Sequence, residues 1–137
     1  MNLAMKHMRG QSGIELATYF GFLIIIFMIF SVEAAYRMGV AQRSRDSLEA
    51  ERVGGTAATH INIAHSVGNG YSAVFYLPES LSNSYYNISV YTSILRLEIW
   101  YSSGFAKSFP LLTGNVTGVP VPGKNLIKNV DGEIIIE

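Results

Sequence analysis

Two hydrophobic rhythms divide this chain. From Leu16 to Val32 no position is charged and no face is left polar, whereas from Tyr71 onward apolar and polar positions alternate in twos. A run that is apolar on every side reads as a helix covered on every side. At about 1.5 Å per helical residue it spans roughly 25 Å, the short end of a hydrocarbon core, and Ile14 with the apolar stem of Glu15 extends it slightly. Beyond it, Ala34 to His65 has few breakers besides Gly39 and Gly54-Gly55, and Val53, Ala57, Ile61 and Ala64 recur at helical spacing. That stripe predicts a stem laid against the following domain. Arg45 and Glu49, four residues apart, support the helix. The mixed charges from Arg43 to Arg52 predict a solvated face, and the glycine pair predicts a hinge.

Gly68, Asn69 and Gly70 close the helix, and a period of two begins. Tyr71, Ala73, Phe75 and Leu77 share one face before Pro78. Tyr86, Ile88 and Val90 oppose Asn87, Ser89 and Tyr91, and Leu95, Leu97 and Ile99 oppose Arg96, Glu98 and Trp100. A further strand is expected around Phe105 to Leu111. Leu126 to Val130 and Glu133 to Glu137 flank Asp131-Gly132, a strong hairpin dipeptide. The expected fold class is therefore α+β, a long N-terminal hydrophobic helix followed by a small antiparallel sheet of five or six strands. In this register Trp100 stands on the polar face. Either a subunit, a loop or a ligand covers it, or the register is shifted or that face is partly buried.

Composition narrows the possibilities. A chain of 137 residues has room for one long helix and one head. Its formal charge of zero gives no basic footprint for nucleic acid. Cysteine is absent, which excludes disulfides, thiolate catalysis and cysteine-ligated metals. His60 and His65 are about 140° apart on a helix, too far for a same-face metal pair, and no carboxylate cluster joins them. No glycine-rich loop has phosphate-cradling spacing, and no histidine and acid are arranged around a serine. Neither an enzyme nor a cofactor is expected.

The flanks of the apolar run carry orientation. Lys6 and Arg9 precede it while Glu15 and Glu33 bound it, so the positive-inside rule places the N-terminus in the cytoplasm and the rest outside. In an ordinary secretory leader the small-residue cleavage site follows the apolar region. Here the small-residue junction, Gly10/Gln11, precedes it, so cleavage there keeps the helix. An uncleaved anchor also accounts for the run and its basic flank, but gives Glu15 no role. Loss of Lys6 and Arg9 would take the formal charge from zero to about minus two.

Arg9, Gly10, Gln11 and Glu15 together resemble the class III signal peptide of archaeal type IV pilins: a basic residue and glycine before the cut, glutamine first and glutamate fifth in the mature chain. The family commonly has serine third, whereas this chain has Ser12 second and Gly13 third. Segments such as Pro122-Gly123-Lys124-Asn125 and Asn129-Val130-Asp131-Gly132 resemble the ends of such pilin heads. The resemblance implies a leader over residues 1–10, a membrane and filament-core helix with stem over 11–66, and an extracellular β-rich head over 67–137. It implies a prepilin peptidase and pilus assembly machinery as partners. It also implies the cytoplasmic membrane before assembly, and then identical subunits packed through the N-terminal helix in an adhesive surface filament. In such bundles the acid at Glu15 meets the α-amino group freed at Gln11. A snorkelling Glu15 is the simpler alternative. A non-polymerising anchored surface protein and a minor or tip pilin share the same topology. Two sequons, Asn87-Ile88-Ser89 and Asn115-Val116-Thr117, are candidate N-glycosylation sites that suit an extracellular head.

Overall fold

A computed structural model describes residues 3–82, 84–101 and 104–137, with side chains described from Gly13 onward except that of Phe105. The chain opens with one helix, α1 (Leu3–Val67). Among the described residues seven strands follow: β1 (Ser72–Leu77), β2 (Tyr86–Tyr91), β3 (Arg96–Tyr101), β4 (Phe105–Pro110), β5 (Val116–Thr117), β6 (Gly123–Val130) and β7 (Glu133–Ile136). The protein is thus α+β, with a long N-terminal apolar helix followed by a small, chiefly antiparallel head. It divides into two compact units, Met1–Gln42 and Arg43–Glu137.

Within the second unit the strands form two sheets rather than one. The first has the order β1-β6-β7-β5 and the second β2-β3-β4. All pairings are antiparallel except β5 with β7, where Val116 is opposite Ile134. The expected Asp131-Gly132 hairpin joins β6 to β7, with φ of 51° at Asp131 and 89° at Gly132, the two positive values a type I′ turn requires. Leu95 departs from the expected alternation. It takes φ 53° after a single 3-10 turn, Thr92–Ile94, so β3 starts one residue later and Leu95 stays partly exposed.

The helical stripe is buried as its spacing requires. Ala50, Val53, Ala57, Ala58, Ile61 and Ala64 join Phe75, Leu77, Leu97, Ile99, Ile127 and Ile134 in one core. Burying a side chain such as Ile99 fully contributes roughly 1.5–3 kcal/mol relative to exposure. The helical contribution is mostly small side chains, which lets backbone approach sheet closely. Gly54 makes this explicit, because a Cβ there would stand 2.2 Å from the Phe109 ring. The glycine pair does not interrupt α1, whose helical hydrogen bonding runs through it. Its expected role as a hinge is replaced by ring packing.

Polar groups fasten this stretch of α1 to the strands. Asn62 donates from Nδ2 to Pro110 O at 3.2 Å and accepts Leu112 N–H at 2.8 Å on Oδ1. Glu49 accepts the Ser82 amide at 2.8 Å, so this member of the charged stretch is not simply solvated. Asn129, buried in β6, donates to Ala64 O at 2.8 Å and accepts Gly132 N–H at 3.0 Å. One amide thereby ties a carbonyl in the last turn of the helix to the β6–β7 turn, where α1 closes at Gly68 with φ 92°.

Candidate functional site

The chemistry-bearing feature is the first stretch of α1. An 18-residue window within it has a mean hydropathy of 2.1, and its residues are unburied by the chain itself. Large side chains are exposed on every side, Ile24 at 52 % and Phe27 at 72 % among them. Such a helix is long and apolar enough to cross a membrane. Its two aliphatic hydroxyl side chains fit that medium. Thr18 Oγ1 donates to Ile14 O and Ser31 Oγ to Phe27 O, each at 2.8 Å, so both polar groups are satisfied four residues back on the same helix. Their sequence cue is a hydroxyl residue inside an apolar helical run, where the carbonyl four residues back is the nearest acceptor. At the far end Arg37 Nε meets Glu33 Oε1 at 2.8 Å, an exposed i,i+4 pair that closes the apolar stretch with charge.

Glu15 lies at the near end of the apolar stretch, exposed and with no ion pair among the described residues. Arg9, Gly10 and Gln11 fall in the backbone span of α1, but their side chains lie outside the described residues, as do those of Lys6 and Ser12.

The two sequons differ in surroundings. Asn87 is exposed on edge strand β2, directly opposite Trp100 of β3. Asn115 is also exposed, but its Nδ2 donates to Gly132 O at 3.2 Å and its carbonyl accepts Ile134 N–H at 2.9 Å. Trp100 keeps the outward orientation expected of it and is 40 % exposed.

His60 and His65 are not brought together as ligands. The His60 ring stacks on Phe75 with centroids 4.5 Å apart and planes 11° from parallel, leaving its buried Nδ1 without a hydrogen bond. Burial holds this imidazole below its ordinary value. Among the described residues no group of three or more His, Asp or Glu side chains is placed to hold a metal ion. Glu51 Oε2 receives Lys107 Nζ at 2.7 Å, and that donated hydrogen bond and positive charge hold its carboxyl below the usual range. Compared with protein-family models, curated proteins and solved structures, the chain finds no match.

Proposed function

We propose that this chain is the structural subunit of an archaeal type IV pilus-like surface filament serving adhesion. The observation that carries the reading is the helix surface from Leu16 to Val32, apolar on all sides, unburied by its own chain and with its Thr18 and Ser31 hydroxyls satisfied on the same helix. A surface of that kind needs an apolar environment, first lipid and then the same helix of neighbouring subunits. The precursor is inserted in the cytoplasmic membrane with its head outside. A prepilin peptidase cuts between Gly10 and Gln11.

The cut supplies Glu15 with a counter-charge. A free α-amino group has an unperturbed pKa near 8 and is mostly cationic at neutral pH. Opposite charges about 4 Å apart attract by up to roughly 4 kcal/mol at an effective dielectric near 20, before desolvation is subtracted. A carboxylate at the edge of hydrocarbon is otherwise costly. Pairing Glu15 with the Gln11 amine of its own or a neighbouring subunit removes that cost and sets helix register.

A mass spectrum of the mature N-terminus tests the assignment. Wild-type protein should begin at Gln11. Gly10→Val should accumulate uncut in membranes, because a branched side chain fills the space a hydrogen occupies in the peptidase cleft. Filaments whose subunits retain residues 1–10, or a Gly10→Val protein that still begins at Gln11, would reject the reading.

A further inference from the structure

Trp100 needs an explanation that the filament reading does not give. It is the chain's single tryptophan, and it stands on the outward face of the β2-β3-β4 sheet with 40 % of its surface exposed. Its row holds nothing bulky. Asn87 is opposite on one side and Ala106 on the other, and the next outward row is Ser89, Glu98 and Ser108. Directly opposed residues in an antiparallel pair carry Cβ atoms about 4.5–5.5 Å apart. A group attached to the Asn87 amide therefore lies within reach of the indole. Tyr85, two residues before Asn87 and just outside β2, is 92 % exposed.

We propose that Trp100 is the landing platform for the first sugar of a glycan carried on Asn87. This rests on the reading that the head is extracellular. Asn87 and Ser89, two apart in an extended strand, lie on the same outward face of an edge strand, the acceptor amide exposed and the sequon hydroxyl half-buried. The donor is an oligosaccharide linked through a phosphate to a membrane lipid. Nδ2 of Asn87 attacks C1 of the first sugar and the C1–Nδ2 bond forms. The C1–O bond to phosphate breaks with its electron pair leaving on the lipid phosphate, and the amide gives one proton to a base of the transferase. No electrons are exchanged with an outside reagent. The attached pyranose presents a face of C–H groups, and the flat exposed indole offers it apolar cover while the sugar hydroxyls stay in water. Ala106 leaves the ring's other flank free. The second sequon lacks this arrangement, because Asn115 lies outside the paired strands and its Nδ2 is engaged with Gly132 O. Asn87 is the preferred site.

The lone tryptophan makes the test direct. Full-length protein is isolated from its own membranes as wild type and as Ser89→Ala, which removes the sequon hydroxyl but keeps Asn87 and Trp100. Mass spectrometry of the Asn87 peptide should show a hexose- or hexosamine-containing mass in wild type alone. Covering about half of the exposed indole should lower acrylamide quenching of Trp100 roughly twofold relative to Ser89→Ala in the same detergent. Trp100→Ala should lower the melting midpoint more in the glycosylated background than in Ser89→Ala. Protease treatment of intact cells reports separately on where the head lies. If the head is digested from outside but Asn87 is bare, the platform assignment fails and the extracellular reading stands. If the head is protected from protease, both fail. A glycan on Asn87 with unchanged quenching and no coupling to Trp100 overturns the platform. So does protection of Trp100 in Ser89→Ala by added free oligosaccharide, which would make the face a receptor for unattached sugars.

Discussion

The two stretches of α1 solve the same problem in opposite ways. Between Leu16 and Val32 the side chains are mostly large, apolar on every side and exposed, whereas between Ala50 and Ala64 the buried apolar positions form one stripe in which four of six are alanine. Large side chains give a helix the most to gain from a partner outside its own chain, while alanine and glycine give least per residue but permit a close approach. What separates them is therefore the identity of the cover. The first stretch is long and apolar enough to cross a membrane, and the second is covered by the strands that follow it.

If that contrast is right, Glu15→Gln should act on one stretch alone, and its effect should be the largest. The substitution keeps size and removes charge, so insertion and cleavage continue. Each docking step, however, loses the attraction for a Gln11 amine. A loss of about 1.4 kcal/mol per contact is tenfold in every elongation constant. Electron microscopy should show few or no filaments from normal amounts of processed protein, with the head's melting midpoint unchanged. Abundant filaments of normal length would remove the role assigned to Glu15.

The converse experiment strikes only the second stretch. A fragment beginning at Ala34 is expected to fold, and Asn129→Ala in it should lower stability by about 2–3 kcal/mol. Both amide hydrogen bonds vanish and the Gly132 N–H is left with no side-chain acceptor in a part-buried site. Urea midpoints measure this; a loss below about 0.5 kcal/mol would show that the helix end is held by packing alone, since even one ordinary hydrogen bond is worth that much.

A glycine pair of substitutions sharpens the comparison. In mid-helix, alanine is favoured over glycine by about 1 kcal/mol, but overpacking costs about 1–3 kcal/mol. At Gly54, where a Cβ meets the Phe109 ring, the second effect should win and Gly54→Ala should melt earlier. At Gly39, where nothing lies within 4 Å, Gly39→Ala should raise helicity and leave the head's midpoint alone.

The smallest effect is one of acidity. Burial lowers the His60 pKa in the folded head, so the unfolded chain takes up the proton first, near the ordinary value of 6.5. The contribution of neutral His60 is fully present above that value and is lost as pH falls through the lower folded one. Urea midpoints of the fragment should therefore drop between pH 7 and pH 5, and His60→Phe, which keeps the ring against Phe75, should flatten that part of the slope.

Local patterns in the sequence were sufficient wherever the cause was local. Asp131-Gly132 specified its turn, Gly68 its helix end, and the spacing of Val53, Ala57, Ile61 and Ala64 its buried face. What the pattern could not supply depended on partners far along the chain. Gly54 looked like a weak point because Phe109, which needs its missing Cβ, is distant in sequence. No local pattern marked Asn125 and Asn129 for burial, yet both are buried, the first bonded to Val121 and the second to the helix. The parallel pairing of β5 with β7 and the division into two sheets are likewise long-range choices. Of the proposed assembly site, Glu15 and the apolar run were plain from residue type, and the bonds of Thr18 and Ser31 to the carbonyls four residues back follow from hydroxyls placed inside a helix.

The position of β7 between β6 and β5 has a consequence for synthesis. Its residues leave the ribosome after every other strand, yet they fill the middle of the first sheet. The stripe of α1 must therefore wait for its full cover while residues 68–132 are made, roughly three to thirteen seconds at 5–20 residues per second. Over that interval a stripe of leucine and phenylalanine would invite capture by other nascent chains or by the bilayer beside the translocon. Four alanines among its six core positions present far less to capture. The same small side chains that let the finished head close tightly keep the unfinished one inconspicuous.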